Sequence, residues 1–352
     1  MRLLAAVTLS RAAALAAPAQ AYTPESGTWW NPAEPGTGIF IEVQDNFLVA
    51  AVFTADAQRR PVWYTATKFL TGNALFDATL DLTTNVQCPG CTYPGAPSTQ
   101  TAAGGSLRLT FDPNDPTKAS LRWGNGRTVP YERFAFYAKR PEDPASIPVE
   151  STKMLGEWQY VLDFSSNANS AFDYYGDVLV FDDYEFRGAS NRWYFEGCRA
   201  DNSRVGGCST NALSFHSAAG YFEPASGLHA IVVDDTTANY VLYLADMGTN
   251  SAEGEVTVYP KGGNPANFTA YPMRTFRTAS RTFVQEGVGP SKALAATAAK
   301  GPTPGLADRL AAAGIEPTFV GKSAGSRFDR AALLPAIQAL EARLEEKRAA
   351  AH

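Results

Sequence analysis

Three histidines, four cysteines and a scatter of acidic residues are the side chains through which this 352-residue chain could do chemistry. His216 and His229 flank Gly220-Tyr-Phe-Glu-Pro, and with Glu223 they could offer a metal two imidazoles and a carboxylate. Histidines on neighbouring strands commonly sit side by side without a metal, so no metal or other cofactor is expected. A Ser-His-Asp arrangement through Ser214 or Ser217 would have to lie entirely in the second half, because the first half holds no histidine. Glycoside cleavage needs two carboxyl groups set across a pocket. Glu34, Glu42 and Asp56 supply candidates in the first half, and Asp177, Asp182, Asp183 and Glu185 in the second. Alternation along a strand puts Asp183 and Glu185 on one face and Asp182 on the other. The acidic run from Asp173 to Glu185 could also offer oxygen ligands to calcium, but it lacks EF-hand spacing. Charge at a solvated strand edge is the simpler reading of these acids. The glycine pairs at 104–105 and 206–207 are not followed by Lys-Ser/Thr, which argues against nucleotide binding.

The cysteines form two close pairs, Cys88/Cys91 and Cys198/Cys208. An even count at short spacing in an exported chain reads as disulfides, each closing a small loop. Cys88-Pro-Gly-Cys91 has the spelling of a redox pair, yet it follows a strand and precedes a Pro/Gly/Ser loop rather than a helix. Export itself is read from residues 1–21: Arg2, an apolar segment from Leu3, and Ala19-Gln-Ala21 as a small-x-small cleavage site. A secreted or periplasmic location follows. No later run of about 18 apolar residues offers a membrane span. The net charge of −5 speaks against nucleic acid as a partner.

The elements that must position these residues are β-strands. Between residues 22 and 139, runs near 38–44, 47–54, 61–69, 74–82, 106–112, 119–123 and 129–138 alternate with Asn, Gly, Asp and Pro turns. Residues 140–152 read as a Pro-rich linker. A second series from 153 to 280 places strands near 158–164, 177–186, 192–198, 212–216, 220–223, 228–234, 240–245, 253–259 and 271–278. The expectation is a mainly β protein with two tandem antiparallel barrels or sandwiches and an Ala-rich helical tail over 281–352. A duplication is suggested by Gly27-Thr-Trp29 against Gly156-Glu-Trp158, and by Val62-Trp-Tyr64 against Arg192-Trp-Tyr194. In the tail, Thr303 to Gly314 and Asp329 to Arg348 read as helices, capped by Thr303 and Asp329. Leu333, Ile337, Leu340 and Leu344 make an apolar stripe for docking or self-association.

The run Gly27-x-Trp29-Trp30-Asn31-Pro32-x-Glu34-x-Gly36-x-Gly38, followed by Phe53-Thr54-x-Asp56 and Pro61-Val62-Trp63-Tyr64, resembles a repeat of uncharacterised secreted proteobacterial proteins. The resemblance implies export and a β fold but no activity. An early Gly-x-Trp with a basic residue on the last strand is also similar to the lipocalin and avidin-like barrels. That likeness implies that Trp29 pairs with Arg133, and Trp158 with Arg274, closing each barrel and binding nothing.

For ligand contact the residues of choice are Trp30, Glu34, Trp63 and Tyr64. If Trp29-Trp30 is extended, one indole faces the core and the other a rim or groove. The expected activity is non-enzymatic: an exported module binding a small apolar ligand, a glycan or a protein partner. The alternatives are an envelope assembly protein that associates through its tail, and a carboxylate-based hydrolase.

Overall fold

The computed structural model describes residues 23–286 apart from 73, 114, 116, 137, 168–169, 200–207 and 209–215, together with 304–315 and 328–350. The leader expected over 1–21 and the core of the strand expected at 212–216 lie outside the described residues, as does the stretch 287–303 of the expected helical tail. The first domain is a ten-stranded antiparallel sheet of β1 (Gly27–Trp30), β2 (Gly38–Gln44), β3 (Phe47–Ala55), β4 (Pro61–Phe69), β5 (Leu75–Thr79), β6 (Asp81–Thr84), β7 (Ser98–Gln100), β8 (Ser106–Phe111), β9 (Lys118–Trp123) and β10 (Thr128–Arg133). Its order is β5-β8-β9-β10-β1-β2-β3-β4-β6-β7. The single strand expected over 74–82 is bent at buried Leu80: β5 pairs with β8 and β6 with β4, which curls the sheet onto itself. Gly104 permits the bend. Its N–H donates to Leu80 O while the Leu80 N–H donates to Gly105 O, and a Cβ on Gly104 would stand 2.7 Å from the Leu80 Cβ. Inside lie Trp29, Ile39, Ile41, Leu48, Phe76, Leu109 and Leu121, all 1% exposed or less.

The second domain is a closed barrel of β11 (Gly156–Asp163), β12 (Tyr174–Arg187), β13 (Arg192–Arg199), β14 (Ser217–Glu223), β15 (Leu228–Asp234), β16 (Asn239–Met247), β17 (Ser251–Pro260) and β18 (Tyr271–Ser280). Its interior is filled with side chains, among them Trp158, Tyr160, Phe181, Phe195, Ile231 and Tyr243. Two disulfides, Cys88–Cys91 and Cys198–Cys208, are formed. Counting the bent β5–β6 as one and setting aside the three-residue β7, each domain runs through the same eight meander positions. Strand order corrects the offset of about 130 read from sequence, because Trp63 lies on β4 while Trp193 lies on β13, the third barrel strand.

In both domains the first and last strands are joined by the same device. Trp29 Nε1 donates to the carbonyl four residues back at Glu25 (3.0 Å), and Trp158 Nε1 to Met154 (2.8 Å). Arg133, opposite Trp29, donates to the carbonyls of Ser26, Thr28 and Phe134. In the barrel the arginine over the indole is Arg277, 4.3 Å from the ring of Trp158, and not Arg274. Arg274 points the other way, is 57% exposed and pairs with Glu253. Each guanidinium lies where a side chain on the preceding glycine would stand, so Gly27 and Gly156 are required both for space and for their φ of +127° and +132°.

The linker is more structured than its prolines suggested. Ile147 is buried, and α1 (Val149–Lys153) sits over one end of the barrel. In the tail, α2 (Arg281–Glu286), α3 (Leu306–Ala312) and α4 (Leu334–Ala350) are helical. The cap of α3 is Gly305 rather than Thr303. The capping carboxylate comes from the barrel, where Asp235 accepts from Leu306 N (2.6 Å) and Ala307 N (2.8 Å). Asp235 also takes Arg199, which grips Asp177, itself held by Arg309 and Tyr243. Burial alone would raise the Asp177 carboxyl, but Arg199 and Arg309 hold it below the usual carboxylate range.

The stripe of Leu333, Ile337, Leu340 and Leu344 lies on the outside of the barrel, against Tyr221, Leu228, Ala230, Val232, Leu242 and Tyr259. Arg343 reaches Glu185 and Glu196, Lys347 reaches Glu196, and Arg348 reaches Asp234. The apolar face offered for self-association is therefore covered by the chain's own barrel. Leu340 is fully buried at that contact, so Leu340→Ala should lower unfolding stability by about 2–5 kcal/mol in urea titration.

Candidate ligand-binding face

Alternation along the strands sorts the first domain into an inner and an outer face. Trp29 is inside; Trp30, next to it, is half-buried on the outside, with its ring 4.8 Å from Phe134. On β2, Ile39 and Ile41 are inside and Phe40 is 45% exposed. On β3, Leu48, Ala50 and Val52 are inside, while Val49 and Phe53 are 41% and 51% exposed. Trp63 on β4 is 41% exposed and lies directly opposite Phe53. Phe53 lies opposite Gly38, and one residue beyond the Trp29–Ile39 pair the register sets Gly38 beside Trp30.

The outcome is a row across four strands, Trp63–Phe53–Gly38–Trp30, with the glycine leaving an open slot between two aromatic groups. Strands repeat about every 4.8 Å, so the row spans roughly 14 Å. Phe40, beside the row, has Thr28 directly opposite on β1, and on its other side the cross-strand line runs through Ala51 to Thr65 on β4. Beyond Trp30 the aromatic line continues to Phe134 and then, 5.8 Å further, to Phe136, which is 69% exposed.

Only part of the expected ligand set is assembled here. Trp30 and Trp63 share the outer face. Tyr64 turns inward and packs against the core beside Gly104. Glu34 is ion-paired with Arg127 at the turn after β1. Phe40 and Phe53 were missed, since Phe47 to Phe53 is apolar on both faces and its alternation is silent until the inner face is known.

The other constellations come apart. His216 stands at one end of the β14–β15 hairpin, where its backbone N–H donates to Asp234 O, and His229 at the other, opposite Phe222. About six residue steps, roughly 20 Å, separate them, too far for a shared metal. Among the described residues no group of three or more His, Cys, Asp or Glu is placed to hold an ion. Asp56 is tied to Arg60 in a tight turn, and Asp177 to Arg199 inside the barrel. Glu185, in the acidic run offered for calcium, pairs with Arg187 and Arg343. The pentapeptide Gly321-Lys-Ser-Ala-Gly325 has the spelling of a nucleophile elbow but lies outside the described residues.

His229 lines a cleft of about 360 Å³ between the domains, together with Trp30, Phe134 and Phe222. Its Nε2 is 3.0 Å from Glu150 O, and Nδ1 has no partner. Burial lowers the imidazole pKa to about 3, with Lys153 lowering it further and the Glu150 carbonyl opposing. The native state stays neutral while the unfolded chain takes up a proton below its ordinary value of about 6.5. Stability from this group is therefore present above pH 6.5 and is lost as pH falls from there toward 3, at up to about 1.4 kcal/mol per unit. Urea titrations between pH 7.5 and 4.5 should show His229→Phe losing less stability on acidification than the wild type.

No family model matches the chain, and no curated protein matches it. Among solved structures, a protein of unknown function from the DUF3598 family of Nostoc punctiforme PCC 73102 aligns over 73% of this chain and 94% of its own. The two are 11% identical with a TM-score of 0.18, a likeness that carries no argument here.

Proposed function

We propose that the protein is an exported, non-enzymatic binding module, and that its ligand is a polysaccharide laid across the outer face of the first domain. The observation that carries this reading is the solvent-facing row Trp63–Phe53–Gly38–Trp30. Sugar rings present an apolar C–H face and a hydroxyl edge. Indole and phenyl faces take the first, and flanking threonines take the second. A small apolar ligand would want a concave pocket that buries most of its surface, whereas this face is the outside of a curled sheet. A stable protein partner would want about 800 Å² per side, and the row is one residue wide.

Export is inferred from the leader at residues 1–21 and from the disulfides, giving a secreted or periplasmic location. Assembly through the tail is not favoured, because α4 spends its apolar stripe on the barrel. Hydrolysis is not favoured either, since Glu34, Asp56, Asp177 and Glu185 are each taken up by an arginine.

Affinity electrophoresis and pull-down on a panel of soluble and insoluble polysaccharides test the reading. Trp63→Ala should weaken retention about tenfold, the worth of one aromatic stack plus its burial, with Tm unchanged because the ring faces solvent. Retention equal to wild type, or no polysaccharide retained at all, would sink the proposal.

A further inference from the structure

Past Trp30, the aromatic line of Phe134 and Phe136 leaves the first sheet and ends at the seam between the domains. Phe136 forms one wall of a groove there, of about 200 Å³. The other walls carry Arg140, Lys153, Arg277 and Arg281, and no carboxylate occurs among the described residues that line it. Four cations converging on one small groove is an unexpected concentration in a chain of net charge −5.

The neighbouring acids only partly balance them. Asp143 stands behind Arg281 and takes its guanidinium at 2.8 Å. Glu142 is 3.6 Å from Arg140, and Glu150 is 3.8 Å from Lys153, both on the solvent side with 62% and 37% of their side chains exposed. Arg277 donates to the backbone carbonyls of Lys153, Leu155 and Thr249, and the carboxylate whose charge it feels, Glu25, is shared with Arg133 at 3.8 Å. The groove thus keeps an excess of positive charge in a partly desolvated place, where an anion gains more than it would at an open surface.

Resting on the polysaccharide reading above, we propose that the ligand is an anionic polysaccharide, whose sugar faces lie on the aromatic row and whose acidic group seats in the Arg140–Lys153–Arg277–Arg281 groove. A carboxylate of a uronic acid and a sulfate ester share the required chemistry: planar or tetrahedral oxygens that accept from guanidinium and ammonium donors. The overall negative charge of the protein works against non-specific attraction of such polymers, so tight binding would have to be local.

The test uses the full exported chain and three probes in calorimetry at 50 and 500 mM NaCl: oligogalacturonate, a sulfated oligosaccharide and a neutral cello-oligosaccharide of equal length. At least one acidic probe is expected to bind ten times or more tighter than the neutral one at low salt, and to lose most of that advantage at high salt. Which acidic probe binds decides between carboxylate and sulfate. Lys153→Gln should abolish the advantage and leave neutral affinity and Tm unaltered. Arg140→Gln provides a second, independent removal of charge should the first variant misfold. Equal binding of neutral and acidic probes by the wild type overturns this inference, as does a variant that keeps the full acidic preference, and both leave polysaccharide binding standing. Failure of all three probes together with the wider panel overturns both.

Discussion

The joining of first strand to last in each domain depends on one arrangement: an arginine on the last strand reaching across a glycine of positive φ to the carbonyls around the first strand's tryptophan. Arg133 and Arg277 each donate three hydrogen bonds to backbone oxygens, and their guanidinium groups fill the space that a larger residue in place of Gly27 or Gly156 would invade. Burial lowers both guanidinium pKa values, Arg277 to about 10, with Glu25 opposing in each case. The tryptophan is fixed in turn by its own indole N–H. With Trp29 committed to the inside, the residue after it must face outward, and the aromatic row begins at that residue.

Much of this was readable from the chain. The bounds expected for 38–44, 61–69 and 228–234 coincide with β2, β4 and β15, where turn residues bracket a β-rich run on both sides. β1 is only four residues long and was not counted as a strand, because Gly-Thr-Trp-Trp shows no alternation. The helix α1 hid behind prolines: Pro148 stands at its N-cap, a position where the missing N–H costs nothing. Choosing Arg274 as the partner of Trp158 failed against the strand period, since Met273, Thr275 and Arg277 alternate inward while Arg274 and Phe276 point out.

The aromatic outer face was half legible. Trp30 and Trp63 announce themselves by residue type, but their being on one face is a fact of register across β2 and β3 that no local pattern reveals. Tyr64 follows from the same period of two: a neighbour of an outward Trp63 has to turn in. The cationic groove was invisible, because Arg140, Lys153, Arg277 and Arg281 are drawn from the linker, α1, β18 and α2. Only the packing of the linker and α1 against the end of the barrel brings them together, and the first domain adds Phe136 and Ala138.

That packing has a second anchor at the chain's entry. The Glu25 carboxylate, in the segment leading into β1, accepts from the backbone N–H groups of Thr249, Asn250 and Ser251 and from the Ser251 hydroxyl in the β16–β17 turn, at 3.0–3.1 Å. The first domain is therefore moored both at its beginning, by Glu25, and at its end, by the linker and α1. The two moorings meet: Thr249 and Asn250, which Glu25 holds, line the same groove as Arg140 and Lys153, so the entry and the exit of the first domain are fastened to the barrel at one seam, as the two ends of a loop are tied in one knot.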